Sequence, residues 1–141
     1  AYQDYTIRSQ VSEGMTLAGD LKAAIAETVA QTGSWPADLA ALGLGSGGPT
    51  QKSGRYVEQV DVIDGTIVIT YGLDASQAID QQTLSFKPYR NDNEDITWQC
   101  GDATAPDNTD PNDAGGNPSG AADTTVLDKY LPASCRSGFG T

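Results

Sequence analysis

The first thirty residues carry apolar positions at steps of three and four, which is the pattern of a helix with one buried face. The stripe consists of Ile7, Val11, Ala18, Leu21, Ile25 and Val29. Gly14 occupies a gap in this stripe, and Gly33 is the kind of residue that ends a helix, because glycine adopts the left-handed conformation without strain. The pattern predicts a helix over residues 1–31, about 45 Å long at 1.5 Å per residue.

This helix is long for a chain of 141 residues, and no capping residue stands ahead of it. Without Ser, Thr, Asp or Asn in that position, the first amide groups of a helix have no local acceptor. We therefore expect the chain to continue a longer helix whose other half acts outside this domain. The alternative is an ordinary core-facing helix in a complete small domain.

From residue 55 the period of the pattern changes to two, which indicates β-strands. Four strands are predicted, beginning at residues 55, 66, 83 and 96 and ending at residues 62, 71, 87 and 100. Asp64-Gly65 predicts a tight hairpin between the first two, because both central positions of such a turn need a positive φ. Pro88 is expected to end the third strand.

The alternation also assigns faces to these strands. In the first strand it puts Val60 and Val62 on one face and Val57 on the other. In the last strand, one set points inward: Ile96, Trp98 and Cys100. Because an apolar helix face and an apolar sheet face cover each other, we predict an α+β fold, with the long N-terminal helix packed on a four-stranded antiparallel meander.

A chain of 141 residues is long enough for one domain with a single core, so we assign residues 1–141 to one unit. Within it we expect the C-terminal half of a long helix at 1–31, a glycine-rich connection at 32–54, the sheet at 55–100 and a cysteine-bounded loop region at 100–135.

The charge balance narrows the classes of partner. Nineteen acidic residues face eight basic residues, for a net charge of −11. Binding to nucleic acid draws on neutralisation of phosphates by Lys and Arg, so strong nucleic-acid binding by this domain is not expected. The same charge opposes binding to anionic lipid headgroups.

Residues 101–125 combine aspartates with glycine and proline and contain no basic residue, which is typical of a long surface loop. The aspartates that we expect to be exposed there are Asp107, Asp110, Asp113 and Asp123. Carboxylates suit Ca²⁺, but the stretch from residue 110 departs from the EF-hand pattern at Ala114 and lacks the final Glu. We therefore predict a solvated loop and no metal site, with a secreted module that binds Ca²⁺ or a cationic partner as the alternative.

The two cysteines, Cys100 and Cys135, are too far apart for a CxxC redox pair. In a secreted domain they indicate one structural disulfide, and the alternative is a pair of free thiols in a cytosolic protein. The chain has no histidine, which removes Ser-His and Cys-His catalysis and most transition-metal sites. We predict neither an enzyme nor a cofactor.

Six segments of the chain resemble, in order, segments of the type IVa pilins of Gram-negative bacteria. They are AYQDYTIRSQVSEG at 1–14, GSWP at 33–36, GRYV at 54–57, DGTI at 64–67, ITWQC at 96–100 and KYLPASCR at 129–136. The opening block and the cysteine-containing tail are the more specific of these. Residues 101–125 depart from the family by being longer and more acidic.

The resemblance implies a pilin fold and a structural subunit of a pilus filament, active in adhesion, twitching motility, DNA uptake or phage attachment. It implies that other pilin subunits and the assembly machinery are the partners, and that the helix stripe from Ile7 to Val29 is the face toward the filament core. It also implies a precursor in the inner membrane, held there only by an N-terminal half of the helix that is absent from this sequence, and a mature filament at the cell surface. A minor pilin or a secretion-system pseudopilin is the closest alternative.

Overall fold

The computed structural model describes residues 2–43, 53–104, 106–107, 109–114 and 124–139, with the backbone alone for 2 and 109–114. Helix α1 covers Tyr2–Thr32, in agreement with the predicted range. It ends at Gly33, which has a φ of 76° and donates its N–H to the Val29 carbonyl at 2.8 Å. A short 3-10 helix follows at Ala40–Leu42.

One antiparallel sheet packs against this helix. Its strands are β1 (Val57–Ile63), β2 (Thr66–Tyr71), β3 (Thr83–Asn91), β4 (Ile96–Cys100) and β5 (Thr109–Ala114). The first four lie in the order β1-β2-β3-β4, as a meander, and β5 pairs with β3. The predicted α+β fold is therefore confirmed, including the hairpin at Asp64 and Gly65, whose φ values are 48° and 87°.

The face assignment predicted for β1 was wrong. The register of β1 against β2 shifts between Val57 and Gln59, which marks a β-bulge. The extra residue turns the strand so that Val57 is buried together with Val60 and Val62. The simple alternation of residue types carried no sign of this irregularity.

Strand β3 does not end at Pro88 but continues to Asn91. On one side of β3, pairing with β2 stops at Phe86 and pairing with β5 begins at Tyr89. Pro88 thus lies in the gap between these two partners, where the ladder on that side needs no N–H donor. This position makes the proline compatible with a strand interior.

The prediction of a continuous surface loop at 101–125 was also wrong in part, because β5 lies within it. Strand β5 pairs Thr109 with Asn91 and Ala114 with Tyr89. Backbone hydrogen bonding to β3 does not require apolar side chains, so the polar composition of this stretch concealed the strand.

The core lies between α1 and the sheet. It contains side chains of α1 together with fully buried side chains of the central strands, among them Ile67, Ile69, Leu84 and Phe86. In β4 the expected inward set is only half-buried and packs at the edge of this core: Ile96, Trp98 and Cys100. Among the described residues, no helix has both the length and the apolar character that crossing a bilayer requires.

Candidate functional site

The apolar stripe of α1 lies against the sheet of its own domain. All six of its members are buried: Ile7, Val11, Ala18, Leu21, Ile25 and Val29. They belong to the same core cluster as the buried side chains of the sheet. Their expected assignment to a filament core is therefore corrected, because this subunit already covers them, and the surface of α1 that remains for another molecule is the opposite face.

Gly14 interrupts the stripe at the point where Tyr71 of β2 reaches the helix. Tyr71 is fully buried, and its hydroxyl donates a hydrogen bond to the Val11 carbonyl at 2.7 Å. Burial, with a smaller contribution from the negative charge of Glu13, raises the pKa of Tyr71. The hydroxyl therefore stays protonated and remains a donor to the helix backbone.

Three polar side chains near the beginning of α1 attach it to three separate segments. Arg8 donates its Nε–H to the Lys129 carbonyl at 2.7 Å. The side-chain oxygen of Gln10 accepts from the Ser76 N–H at 2.7 Å. The Glu13 carboxylate accepts from two backbone N–H groups just before β1, at residues 55 and 56, each at 2.7 Å. Residue spacing gave no indication of these contacts, since each partner is a backbone group distant in the sequence.

The outer face of α1 carries small and polar side chains together with one aromatic residue. Its exposed positions at helical spacing include Ser9, Ser12, Thr16, Gly19 and Ala23, and Tyr5, Asp20 and Glu27 are exposed beside them. The three hydroxyls on this face donate to helix carbonyls four residues earlier, at 3.0 to 3.2 Å. Since these hydroxyl donors are satisfied within the helix, they add little desolvation cost for an approaching partner.

Lys22 is the one basic residue in the second half of α1, and its side chain lies beside two aromatic rings. The Nζ of Lys22 lies 4.4 Å from the ring centre of Phe86 and 5.7 Å from that of Trp98. Burial lowers the pKa of Lys22. These cation–π contacts join α1 to β3 and β4.

The disulfide predicted between Cys100 and Cys135 is present, with a Cα–Cα distance of 4.6 Å. It joins the end of β4 to a 3-10 helix at Ala133–Cys135. The segment before that helix docks through buried side chains: Val126, Tyr130 and Leu131. The bridge therefore fastens the C-terminal segment to the edge of the sheet.

Two carboxylates meet beside this bridge. The Asp102 N–H donates to the Cys135 carbonyl at 3.0 Å, and the Asp128 carboxylate accepts from the Ser137 N–H at 3.3 Å. Burial, followed by the hydrogen bond and negative charge of Asp128, raises the pKa of Asp102 to about 6. The neutral form of the Asp102 carboxyl group is therefore favoured to a higher pH than in an ordinary aspartate, which makes this contact sensitive to pH.

The four aspartates that were predicted to be exposed in the loop are described to different extents in the structure. Asp107 is exposed, as expected. Asp110 and Asp113 lie on β5, where only the backbone is described, and Asp123 lies outside the described residues. In the described part of the chain, no group of three or more His, Cys, Asp or Glu side chains is arranged to hold a metal ion.

Comparison with known proteins identifies a matching family and several relatives. A family model described as Pilin (bacterial filament) matches residues 7–136. A type IV major pilin protein PilE of Neisseria gonorrhoeae is 37% identical over 143 residues, which cover 99% of this chain and 81% of the relative. A fimbrial protein of Neisseria meningitidis serogroup A is 33% identical, with 96% and 79% covered. The fimbrial protein EcpC of Eikenella corrodens is 34% identical, with 97% and 75% covered.

Proposed function

Because this chain belongs to the pilin family, we propose that it is a structural subunit of a type IV pilus and polymerises with copies of itself. The observation that carries this proposal is the extent of the match, which runs from residue 7 to residue 136. The matched range includes most of the helix, the sheet and both cysteines of the disulfide. Relatives named as major pilins and fimbrial proteins favour a filament subunit over an enzyme.

We propose that the outer face of α1 is the surface that packs against other helices in the filament. Small side chains allow two helices to approach closely. At Gly19, no described atom outside the helix's own backbone lies within 4 Å of the place that a Cβ would occupy. A leucine at this position is therefore expected to leave the isolated domain folded and to reduce the yield of filaments. An isolated Gly19→Leu domain that unfolds would contradict the assignment of this face to intermolecular contacts.

The direct test of the subunit function is genetic and uses the full-length gene. Deletion of the gene should remove surface filaments in electron micrographs, and complementation should restore them. Antibody against this domain should label the restored filaments along their length if the chain is the major subunit. Labelling at a few points only would indicate a minor pilin, and filaments that persist unlabelled in the deletion strain would contradict the proposal.

Adhesion, twitching motility, DNA uptake and phage attachment are proposed as activities of the assembled filament. The net charge of −11 supports the further proposal that the isolated domain does not bind nucleic acid strongly. For the membrane, we propose that contact is made by an apolar N-terminal part of the helix in an inner-membrane precursor, which the assembly machinery then incorporates. The upstream coding sequence tests this, since it should encode about 20 consecutive apolar residues.

A further inference from the structure

Three large apolar side chains are exposed in the segments around the first turns of α1. Tyr5 lies on the helix itself and is 69% exposed, Leu73 lies in the β2–β3 loop (residues 72–82) and is 61% exposed, and Leu127 lies in the C-terminal segment (residues 124–139) and is 58% exposed. We call these three side chains the apolar rim. Among the described residues, the only other large apolar side chain that is more than half exposed is Phe139, which lies beside the disulfide.

The direction of the strands places the β2–β3 loop at the end of the domain where α1 begins. Strand β2 ends at Tyr71, whose hydroxyl donates to the Val11 carbonyl in the first half of the helix. Near the end of β3, Arg90 donates to the Gly33 carbonyl, which lies just beyond the last turn of the helix. Because the two strands are antiparallel, the loop that joins them lies toward the first turns of α1.

Both segments that carry the leucines of the rim are attached to the first turns of α1. Gln10 accepts from the Ser76 N–H of the β2–β3 loop, and Arg8 donates to the Lys129 carbonyl of the C-terminal segment, each at 2.7 Å. At 1.5 Å per residue, positions 8 and 10 lie within about 8 Å of Tyr5 along the helix axis. The headgroup layer on each side of a bilayer is about 5 to 8 Å thick. The attachment points of the rim therefore span about the depth of one headgroup layer.

Leu73 is exposed in spite of an unfavourable backbone conformation. Its φ is 56°, at the first central position of a turn that is closed by a hydrogen bond from the Ala75 N–H to the Gly72 carbonyl at 3.0 Å. Glycine or asparagine is favoured at such a position, and a bulky apolar side chain there is an outlier. Retention of a strained apolar residue points to a role outside the folding of the domain.

The charged side chains around the rim do not select a charged partner. Beside the turn of the β2–β3 loop, Arg55 is already paired with Asp74 at 3.4 Å. The two residues that follow Leu127 are Asp128 and Lys129, which have opposite charges. Attraction of a partner to the rim therefore depends on burial of its apolar side chains.

We propose that the apolar rim lies in the headgroup region of the membrane that holds the precursor, with the Tyr5 ring and the two leucines in contact with lipid. This contact rests on the proposed function, in which an apolar continuation of α1 crosses the inner membrane. Such a continuation leaves the domain at the first turn of α1, so the bilayer faces the end of the domain that carries the rim.

The membrane anchor makes a weak contact sufficient. Because the anchor keeps the domain at the bilayer surface, insertion of the rim is an intramolecular step and needs little affinity of its own. Tyrosine is enriched at membrane–water interfaces, which suits Tyr5 at this level. The net charge of −11 opposes anionic headgroups, so the rim fits a zwitterionic lipid surface.

Spin labels test the contact in the full-length precursor, reconstituted in nanodiscs of zwitterionic phosphatidylcholine. Leu73→Cys and Leu127→Cys are labelled one at a time with a nitroxide while the native disulfide stays closed. The matched control is Asp92→Cys, at an exposed position in the turn after β3 at the opposite end of the domain. Labels on the rim should be more accessible to dissolved oxygen, which partitions into lipid, than to a nickel complex that stays in water. The control label should show the reverse.

Two results would overturn the proposal. One is an accessibility to nickel that is equal for the rim labels and the control label. The other is shielding of the rim labels from nickel in assembled filaments but not in nanodiscs, which would assign the rim to a contact with another subunit.

A second measurement asks whether the members of the rim act together. Tyr5→Ser combined with Leu127→Asn removes the other two apolar side chains, and the label stays at position 73. Its protection from nickel in nanodiscs should then be lost, because less apolar surface is buried in the interface. The control is Phe139→Asn, at an exposed apolar residue outside the rim, and it should leave the protection unchanged. Unchanged protection in the double variant would show that the rim does not hold the domain on the lipid.

Insertion into the nanodiscs separates this contact from the proposed function. A full-length chain that does not insert contradicts the proposed membrane anchor, and the rim contact fails with it. An inserted chain whose rim labels stay in water contradicts the rim contact alone.

Discussion

The Tyr71 side chain of β2 occupies the space that a side chain at Gly14 of α1 would need. A Cβ added at position 14 would overlap the Tyr71 hydroxyl and would lie 2.9 Å from a methyl group of Ile69. The hydroxyl in turn donates to the Val11 carbonyl, one helical turn before the glycine. The missing side chain of Gly14 thus sets how closely the helix approaches the sheet.

We expect Gly14→Ala to lower the free energy of unfolding by about 2 kcal/mol, because the added methyl group overpacks the interface between helix and sheet. Urea denaturation of the isolated domain measures this change. The control is Gly19→Ala, where an added Cβ meets no described atom within 4 Å beyond the helix's own backbone. That substitution should instead stabilise the domain by up to about 1 kcal/mol through helix propensity.

The Tyr71 hydroxyl can be tested as the source of the clash by a double-mutant cycle. In a Tyr71→Phe background the atom that the new methyl group meets first is gone. Gly14→Ala should therefore cost less in that background than in wild type. An identical cost in both backgrounds would show that another contact excludes the alanine.

Removal of the disulfide should lower the stability of the domain substantially. The bridge joins residues that are 35 positions apart, and in the chain-entropy model a loop of this length contributes about 3 to 4 kcal/mol. Replacement of both cysteines by alanine avoids a lone thiol and should lower the melting temperature. Reduction of the wild-type protein should produce a similar decrease, and reductant should not affect the double variant. An unchanged melting temperature in the double variant would contradict a stabilising role.

The Asp102–Asp128 contact predicts a specific dependence of stability on pH. The pKa of Asp102 is raised to about 6 in the folded state, whereas an unfolded aspartate titrates near about 3.9. Between these values the folded state binds more protons than the unfolded state, so this group's contribution to stability decreases as the pH rises from about 4 to about 6. Asp102→Asn should remove this decrease, as measured by urea denaturation across that range.

Asp128→Asn provides the control for this prediction. It removes the neighbouring charge, so the pKa of Asp102 should move down toward its ordinary value in an NMR titration of the side-chain carboxyl. A pKa of Asp102 that stays at its wild-type value in this variant would assign the shift to burial alone.

The predicted solvation of Asp110 and Asp113 leads to a contrasting expectation. Replacement of both by Asn should leave the fold intact, because substitution of solvated side chains away from special contacts changes stability by only about 0.5 kcal/mol or less. Circular dichroism and the melting temperature should match wild type, while electrophoresis on a native gel should show the loss of negative charge. Loss of folding would show that these side chains serve as structural ligands.

Much of the fold followed from residue patterns because those patterns report burial. The stripe from Ile7 to Val29 and the Asp64-Gly65 pair identified the helix and the hairpin by local chemistry alone. Features that depend on pairing between distant segments were missed. The bulge after Val57 and the passage of β3 through Pro88 are set by the neighbouring strands, which a local alternation does not record.

Several contacts of the candidate site could not be predicted from the sequence, because they also depend on partners that are distant along the chain. Cys100 and Cys135 could be paired because only two cysteines exist. Glu13 gave no signal, since its partners are backbone N–H groups that any residue type provides. Leu73 was equally hidden, because its positive φ arises from a turn whose sequence lacks the usual glycine or asparagine at that position.

The bonds made by Arg8, Gln10 and Glu13 have a mechanical consequence. A pull applied along the helix axis at its first turns would load these bonds before it reached most of the core. Because they reach three different segments of the domain, they act in parallel and share the load. The force would therefore be spread over the C-terminal segment, the β2–β3 loop and the start of β1, which suits a fibre that has to resist tension.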